Sequence, residues 1–233
     1  MLAVLIGVGI IHFALTHDSR TFPKKHEING FHFVAQPDEI TCGPTSALML
    51  LERYGKDPDI DDVEKQTKTR WFTLKGRPIG MTAPEYIKSA LNHFGVDSKV
   101  KTGSLTTLKQ QVGNDTPVIV LVRSGKAEWH YVVVIGYSET EIITADPSGG
   151  CRKRMNLKAF EGCWKFETDM EGNSVHEPCA ACKGTGWRWD QLGICQECEG
   201  KGYTPDLLSQ ALRFAEVYSN TMIVPTSPVQ KEK

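Results

Sequence analysis

Neither charge dominates this chain. Its 233 residues carry 27 Lys and Arg against 28 Asp and Glu, a formal net charge of −1, with a sequence pI of about 6.7. No global basic field is present to recruit nucleic acid or an acidic lipid surface, so nucleic acid is not an expected partner. No apolar run reaches the roughly 20 residues that a membrane-spanning helix needs. The N-terminal stretch MLAVLIGVGIIHFAL is apolar from Leu2 to Leu15 apart from its glycines and His12. It has the length of a signal-peptide core but lacks the positive start and the A-x-A-like cleavage site. Arg20, Lys24 and Lys25 follow it, and such charges hold the following chain on the cytoplasmic side. We expect residues 2–15 to associate the protein with a membrane; a cytoplasmic or an exported protein is the alternative.

Cysteine is sparse outside one window. Of seven, four form two C-x-x-C pairs and the others are Cys42, Cys151 and Cys163. This spacing argues against the disulfide framework of a small secreted domain. Cys151 and Cys163 read as incidental thiols, and nothing in the spacing supports a bridge between them. What is present is ordinary globular composition, 40% hydrophobic, in a chain long enough for one sizeable domain and a small module.

The stretch QPDEITCGPTSALMLLERYG, Gln36 to Gly55, reads as a helix. Ala47, Leu48, Leu50, Leu51 and Tyr54 recur at roughly helical spacing. Pro44 suits the first turn, where its missing N–H costs nothing, and Gly55 suits a left-handed stop. Cys42 therefore sits at the helix N-terminus, where free N–H groups and the positive dipole end favour an anion such as a thiolate. A buried apolar cysteine is an equally open reading of that placement taken alone.

A partner for the thiol lies in EWHYVVVIGY. His130 opens an apolar, β-branched run that reads as a buried strand. A second run, EIITADP, begins at Glu141 after a short polar turn. The two predict an antiparallel hairpin with Asp146 opposite His130 to within a residue or two, where a carboxylate would hold the imidazole in one tautomer. Taken separately, a strand-end His and a turn-forming Asp-Pro are commonplace. Gln36, six residues before Cys42, could donate its side-chain amide to an oxyanion together with the Cys42 N–H.

The remaining segments give a coarse plan. Residues 16–29 read as a linker, INGFHFVAQ as a short leading strand with Phe31, Phe33 and Ala35 alternating, and DVEKQTKTRW as a weaker helix. TAPEYIKSALNHFG reads as a helix with a Thr82–Glu85 capping box. DSKVKTG is a strand, SLTTLKQQVG a helix and TPVIVLVRS a buried strand. Trp164 and Phe166 are expected to close the sheet. The order predicts an α+β domain with a helix packed on an antiparallel sheet.

QPDEITCGPTSALMLLERYG, HYVVVIGY and ADPSGG together resemble the C39-like peptidases of the papain-like cysteine protease superfamily, over roughly residues 27–168. The resemblance implies a papain-like fold, Cys42 as nucleophile, His130 as general base, Asp146 as orienting acid and Gln36 as oxyanion-hole donor. The best-known members are fused to an export transporter and cut leader peptides after a double glycine. This chain has no room for transporter helices or an ATPase, so only the cysteine-hydrolase chemistry carries over.

Beyond a polar boundary after Thr168 lies CAACKGTGWRWDQLGICQECEGKGY. Cys179, Cys182, Cys195 and Cys198 form C-x-x-C, twelve residues, C-x-x-C. Four thiolates so spaced surround one tetrahedral, structural zinc. Gly184, Gly186, Gly200 and Gly202 follow the pairs and permit tight knuckle turns. The C-x-x-C-x-G-x-G doublet resembles the cysteine-rich zinc module of DnaJ-type chaperones, half of the usual four-repeat set. Redox pairs or disulfides are the alternative. Trp187 and Trp189, between the knuckles, suit contact with a protein partner. PDLLSQALRFAEVYSN, residues 205–220, reads as an amphipathic helix, and the tail PTSPVQKEK, residues 225–233, as disordered.

The sequence thus divides as 1–26 (hydrophobic segment and linker), 27–168 (hydrolase domain), 175–204 (zinc module) and 205–233 (helix and tail). The expected function is a thiol hydrolase, a cysteine peptidase acting on a peptide or protein substrate. The rivals are a non-catalytic peptide-binding module and a zinc-dependent chaperone-like or redox protein. The last lacks the His-Pro-Asp signature of a helper J-domain. Trp71, Phe72 and Arg77, in KTRWFTLKGRPIGM, are candidate cleft residues.

Overall fold

The computed structural model describes residues 23–74, 77–125, 128–174, 177–183, 185, 187–188, 190, 193–196, 203–204 and 217–228. In chain order the elements are β1 (His26–Glu27), α1 (Cys42–Arg53), α2 (Ile60–Thr67), β2 (Arg70–Leu74), β3 (Arg77–Met81), α3 (Pro84–His93), β4 (Ser98–Thr102), α4 (Leu105–Gly113), β5 (Val118–Gly125), β6 (Glu128–Tyr137), β7 (Glu141–Asp146), β8 (Cys151–Asn156), α5 (Leu157–Trp164), β9 (Glu177–Pro178), β10 (Trp187–Arg188), β11 (Gly193–Ile194), β12 (Tyr203–Thr204) and β13 (Thr221–Pro225).

One antiparallel sheet organises the domain, in the order β4-β13-β5-β6-β7-β8, with β1 beside the far end of β6. The fold is α+β, as the pattern predicted. β5 and β6 are unbroken apolar runs because both of their faces are covered: Val118 to Val122 and Tyr131 to Ile135 are all buried. Helix α1 is buried on nearly every side, from Gly43 to Leu51. Each large apolar side chain so enclosed stabilises the fold by about 1.5–3 kcal/mol, which anchors the Cys42 end of the helix firmly. Ser46 Oγ donates to the Tyr131 carbonyl at 3.2 Å and fixes α1 against β6. Gly55 ends the helix at φ +68°.

Several expectations need correction. Residues 31–36 are not a strand. The pairing with β6 is made by His26 and Glu27, while Phe31 and Phe33 pack edge to face at 6.1 Å in a loop. Thr82 does not cap α3. Ala83 is the N-cap, without a side-chain bond, because the Thr82 hydroxyl bonds Thr69 Oγ1 at 2.8 Å instead. A capping box not expected from the sequence does form on α4, between Ser104 and Thr107. Trp164 belongs to a helix, α5, and its Nε1 donates to the Thr221 carbonyl at 3.1 Å.

The division at 205–233 also changes. Pro225, expected to open the tail, ends a strand, β13 (Thr221–Pro225), paired with both β4 and β5, with Met222, Ile223 and Val224 fully buried. The cysteine-rich segment is therefore inserted between α5 and an interior strand. Chain exit and return lie together, since Asn220 N bonds the Trp164 carbonyl at 3.0 Å and Ser219 Oγ the Lys165 carbonyl at 3.1 Å.

The membrane association expected from residues 2–15 is not upheld. Among the described residues no helix is long and apolar enough to cross a membrane, and residues 2–15 lie outside them. Residues 205–216 of the helix expected over 205–220 also lie outside, and Tyr218 to Asn220 form a turn leading into β13.

Candidate active site

Cys42 is the first residue of α1 and is half-buried. The loop before it is shaped by Asp38. Its Oδ1 accepts from Ile40 N at 2.8 Å and from Thr41 N at 3.0 Å, an Asx-type turn feeding the helix. This role was not read from the sequence, although an Asp two and three residues ahead of the bonded amides is its usual signal. Two glycines let neighbours close on this corner. A Cβ on Gly43 would meet the Thr82 side chain at 3.1 Å, and one on Gly80 would meet Ile40 Cβ at 2.5 Å and its carbonyl at 2.7 Å. The β2–β3 hairpin thus packs directly on the loop that leads to Cys42. The side chains of Trp71, Phe72 and Arg77 lie outside the description.

His130 and Asp146 meet as the hairpin predicted. His130 Nε2 lies 2.7 Å from Asp146 Oδ1. The other ring nitrogen, Nδ1, is then the one available to the Cys42 side chain, which lies near enough to His130 to raise its pKa. The ladder explains the meeting. Tyr137 pairs with Ile142 and Gly136 with Ile143, but Val134 pairs with Thr144 and Val133 with Ala145. Ile135 is an extra residue in β6, a β-bulge. Continuing the register one step sets Asp146 across from Val132, two residues from His130 and on the same face.

Asp146 is almost wholly enclosed, its side chain 1% exposed. Burial opposes its charged form, but the His130 bond and charge, Lys153 and the Ser148 N–H outweigh that and hold it down at about 2. Ser148 N donates to Oδ1 at 2.8 Å, and Lys153 Nζ lies 2.8 Å from Oδ2. For His130, burial again opposes the charged form; the bond to Asp146, the nearby Cys42 and their charges prevail and raise it to about 9. The site thus favours an imidazolium between Cys42 and the Asp146 carboxylate. Cys163 contrasts with Cys42. It is buried, bonds the Phe160 carbonyl at 3.2 Å and is pushed by desolvation up to about 12, an inert thiol.

Gln36 is brought to the same corner by its main chain. Its N donates to the Pro147 carbonyl at 2.8 Å, next to Asp146. Gly150, at φ +54°, allows this approach, since a Cβ there would stand 2.7 Å from Ala35 N. The side-chain Nε2 donates to the Asp38 carbonyl at 2.5 Å, while Oε1 is buried without a partner. One of the two amide hydrogens is therefore spent on the loop itself.

Apart from this corner, the Sγ atoms of Cys179, Cys182 and Cys195 all lie within 4.8 Å of one another, and all three residues are buried. Two short ladders surround them, β10 with β11 and β9 with β12. Cys179 and Cys195 stand 3.9 Å apart, sulfur to sulfur, too far for a disulfide. Cys198 and the four knuckle glycines lie outside the described residues.

The fold is that of a cysteine peptidase-type domain. The Peptidase_C39-like family model matches residues 28–169, more than half of the chain, which belongs to that family. A putative C39-like peptidase from Bacillus anthracis is 18% identical, with a TM-score of 0.51 over 61% of this chain and 92% of its own; that likeness shows the fold. The peptidase domain of Streptococcus ComA, a bifunctional ABC transporter involved in quorum sensing, is 27% identical over 56% of this chain and 89% of its own, with a TM-score of 0.46. A double glycine motif protease from an AMS/PCAT transporter, solved with its leader peptide, is 15% identical over 56% and 86%, with a TM-score of 0.41. No curated protein matches the chain.

Proposed function

We propose that the chain is a thiol hydrolase, a cysteine peptidase that cleaves a peptide or other amide bond of a peptide or protein substrate through a Cys42 acyl-enzyme. One observation carries this: His130 is held at 2.7 Å by the buried Asp146 and lies close enough to Cys42, the first residue of α1, for that group to raise its pKa. Cys42 Sγ attacks the carbonyl. His130 carries the proton and delivers it to the leaving amine, and water then releases the acyl group, activated by the same imidazole. Asp146 fixes the ring so that Nδ1 faces the sulfur. The Cys42 N–H has no acceptor within its helix, being in the first turn. With the second N–H of Gln36 it forms the oxyanion hole.

Zinc suits the cysteine-rich insertion. Three buried thiols already converge there, and Cys198 completes the second C-x-x-C pair in the sequence. Cys179, Cys182, Cys195 and Cys198 would hold one ion, which when bound supplies folding energy and leaves no open position for chemistry. The doubled C-x-x-C-x-G-x-G pattern supports a DnaJ-type module. Its role is to engage the protein partner rather than to cut it.

A cysteine-directed active-site probe tests the hydrolase reading. Cys42 should label many times faster than the other six thiols, and His130→Ala should abolish that preference. Uniform slow labelling would contradict it and favour a non-catalytic peptide-binding domain.

A further inference from the structure

We infer that Lys153 is a positioning residue of the proposed site, holding the second oxygen of Asp146 and thereby setting both the orientation and the charge that His130 meets. This rests on the cysteine-peptidase reading above and deepens it. Lys153 lies on the edge strand β8, in register with Thr144. Cross-strand partners share a face, and so do residues two apart, so Lys153, Thr144, Asp146 and His130 all point to one side of the sheet. Lys153 Nζ reaches diagonally to 2.8 Å from Asp146 Oδ2.

The two carboxylate oxygens face different neighbours, and Oδ2, buried without a hydrogen-bond partner, has the Lys153 ion pair alone among the described residues. Oδ1 faces His130 Nε2 from β6 and Ser148 N from the turn; Oδ2 faces Lys153 from β8. From α1, Cys42 faces the far side of His130. The other β8 cations are engaged elsewhere. Arg152 pairs with Glu27, and Arg154 with Glu141 at 2.9 Å. Their registers, opposite Ala145 and Ile143, put them on the other face.

The exposures separate this pair from an ordinary surface ion pair. Lys153 is 45% exposed but the Asp146 side chain only 1%, so removing the lysine leaves a buried carboxylate short of a partner rather than a solvated one. Two effects follow. The carboxylate loses the contact that keeps Oδ1 turned to His130. The imidazole loses a neighbouring cation, which makes it easier to protonate, and Asp146 becomes harder to ionise.

The experiment compares Lys153→Met and Lys153→Arg with wild type. It measures kcat and KM on a peptide substrate across pH, and the His130 ring titration by NMR without substrate. Lys153→Met should lower kcat by about 10-fold or more, as small misplacements do, with KM nearly unchanged. Its His130 titration should move, to higher pH where the lost cation dominates and to lower pH where the carboxylate turns away, and Lys153→Arg should restore both. An unmoved His130 titration in Lys153→Met would overturn the inference, whether activity is kept or falls only with melting temperature. The titration does not depend on turnover, so a His130 shift in Lys153→Met, alongside a wild type that cleaves no amide, would uphold Lys153 and reject the hydrolase reading.

Discussion

His130 and Asp146 are not directly opposite each other on the β6–β7 hairpin; they meet on a diagonal, at 2.7 Å, because Ile135 is an extra residue in β6. Without the bulge the register set by Tyr137 and Ile142 would carry Asp146 opposite Val133, on the face away from His130. A one-residue slip inverts every side chain of a strand. The bulge is therefore what turns a two-strand hairpin into a base and its orienting acid.

Replacing either member should separate their roles. His130→Ala should lose most hydrolysis, because no other group carries the proton. Asp146→Asn should lose less, since Ser148 N and the surrounding packing keep part of the orientation. Steady-state kinetics on a peptide substrate decide this, and equal losses would show that Asp146 does more than orient.

Gln36→Ala should slow turnover by about 10²-fold, the usual loss for one oxyanion donor, with KM little changed. A rise in KM at constant kcat would instead make Gln36 a substrate-binding residue.

The pair should also leave a signature in stability against pH. His130 is raised from 6.5 to about 9, so its contribution is complete below 6.5 and lost as pH climbs through 9. Asp146 is lowered from 3.8 to about 2, so its contribution is complete above 3.8 and lost as pH falls through 2. The difference in melting temperature between wild type and an Asp146→Asn variant should therefore be largest between about pH 4 and 6.5 and shrink on both sides. A constant difference across pH 2 to 10 would contradict the linkage.

The insertion and the strand beyond it should respond differently to deletion. Removing 175–204 and joining the ends should spare cleavage of a small peptide and weaken action on a protein substrate. Ending the chain at 169 removes β13, and with it Met222, Ile223 and Val224, each worth about 1.5–3 kcal/mol of burial, against a typical domain margin of about 5–15 kcal/mol. It also leaves β4 without its partner. That truncation should fail to fold by circular dichroism. In the full chain, purified under reducing conditions, elemental analysis should find about one zinc, and Cys179→Ser should lower that content. Full-length protein without metal would reject the zinc assignment.

Much of this corner was readable because its parts are local. A helix start marks Cys42, a strand start marks His130, and an Asp-Pro turn marks Asp146. What was not readable depends on register and on distant chain. The bulge had one local sign, Gly136 within a strand, where β1 crosses so closely that a Cβ would meet the His26 carbonyl at 2.9 Å. Lys153 is one of three successive cations, and no pattern says which faces Asp146 until the register is known. β13 is a five-residue strand beyond the cysteine-rich insertion with only three aliphatic side chains in a row, Met222 to Val224, and its Pro225 opens the stretch that reads as tail. Its place between β4 and β5 is a long-range pairing that periodicity cannot reveal. Helix α5 was legible and passed over: Asn156 caps it, bonding Ala159 N at 2.8 Å, and Leu157, Phe160 and Trp164 follow at helical spacing.

The most direct test of the account is hydrolysis of a peptide library by wild type and by Cys42→Ala, with products read by mass spectrometry and folding checked by melting temperature. The account predicts cleavage by wild type and none by a variant that melts like it. Cleavage by folded Cys42→Ala at a rate near wild type would contradict it.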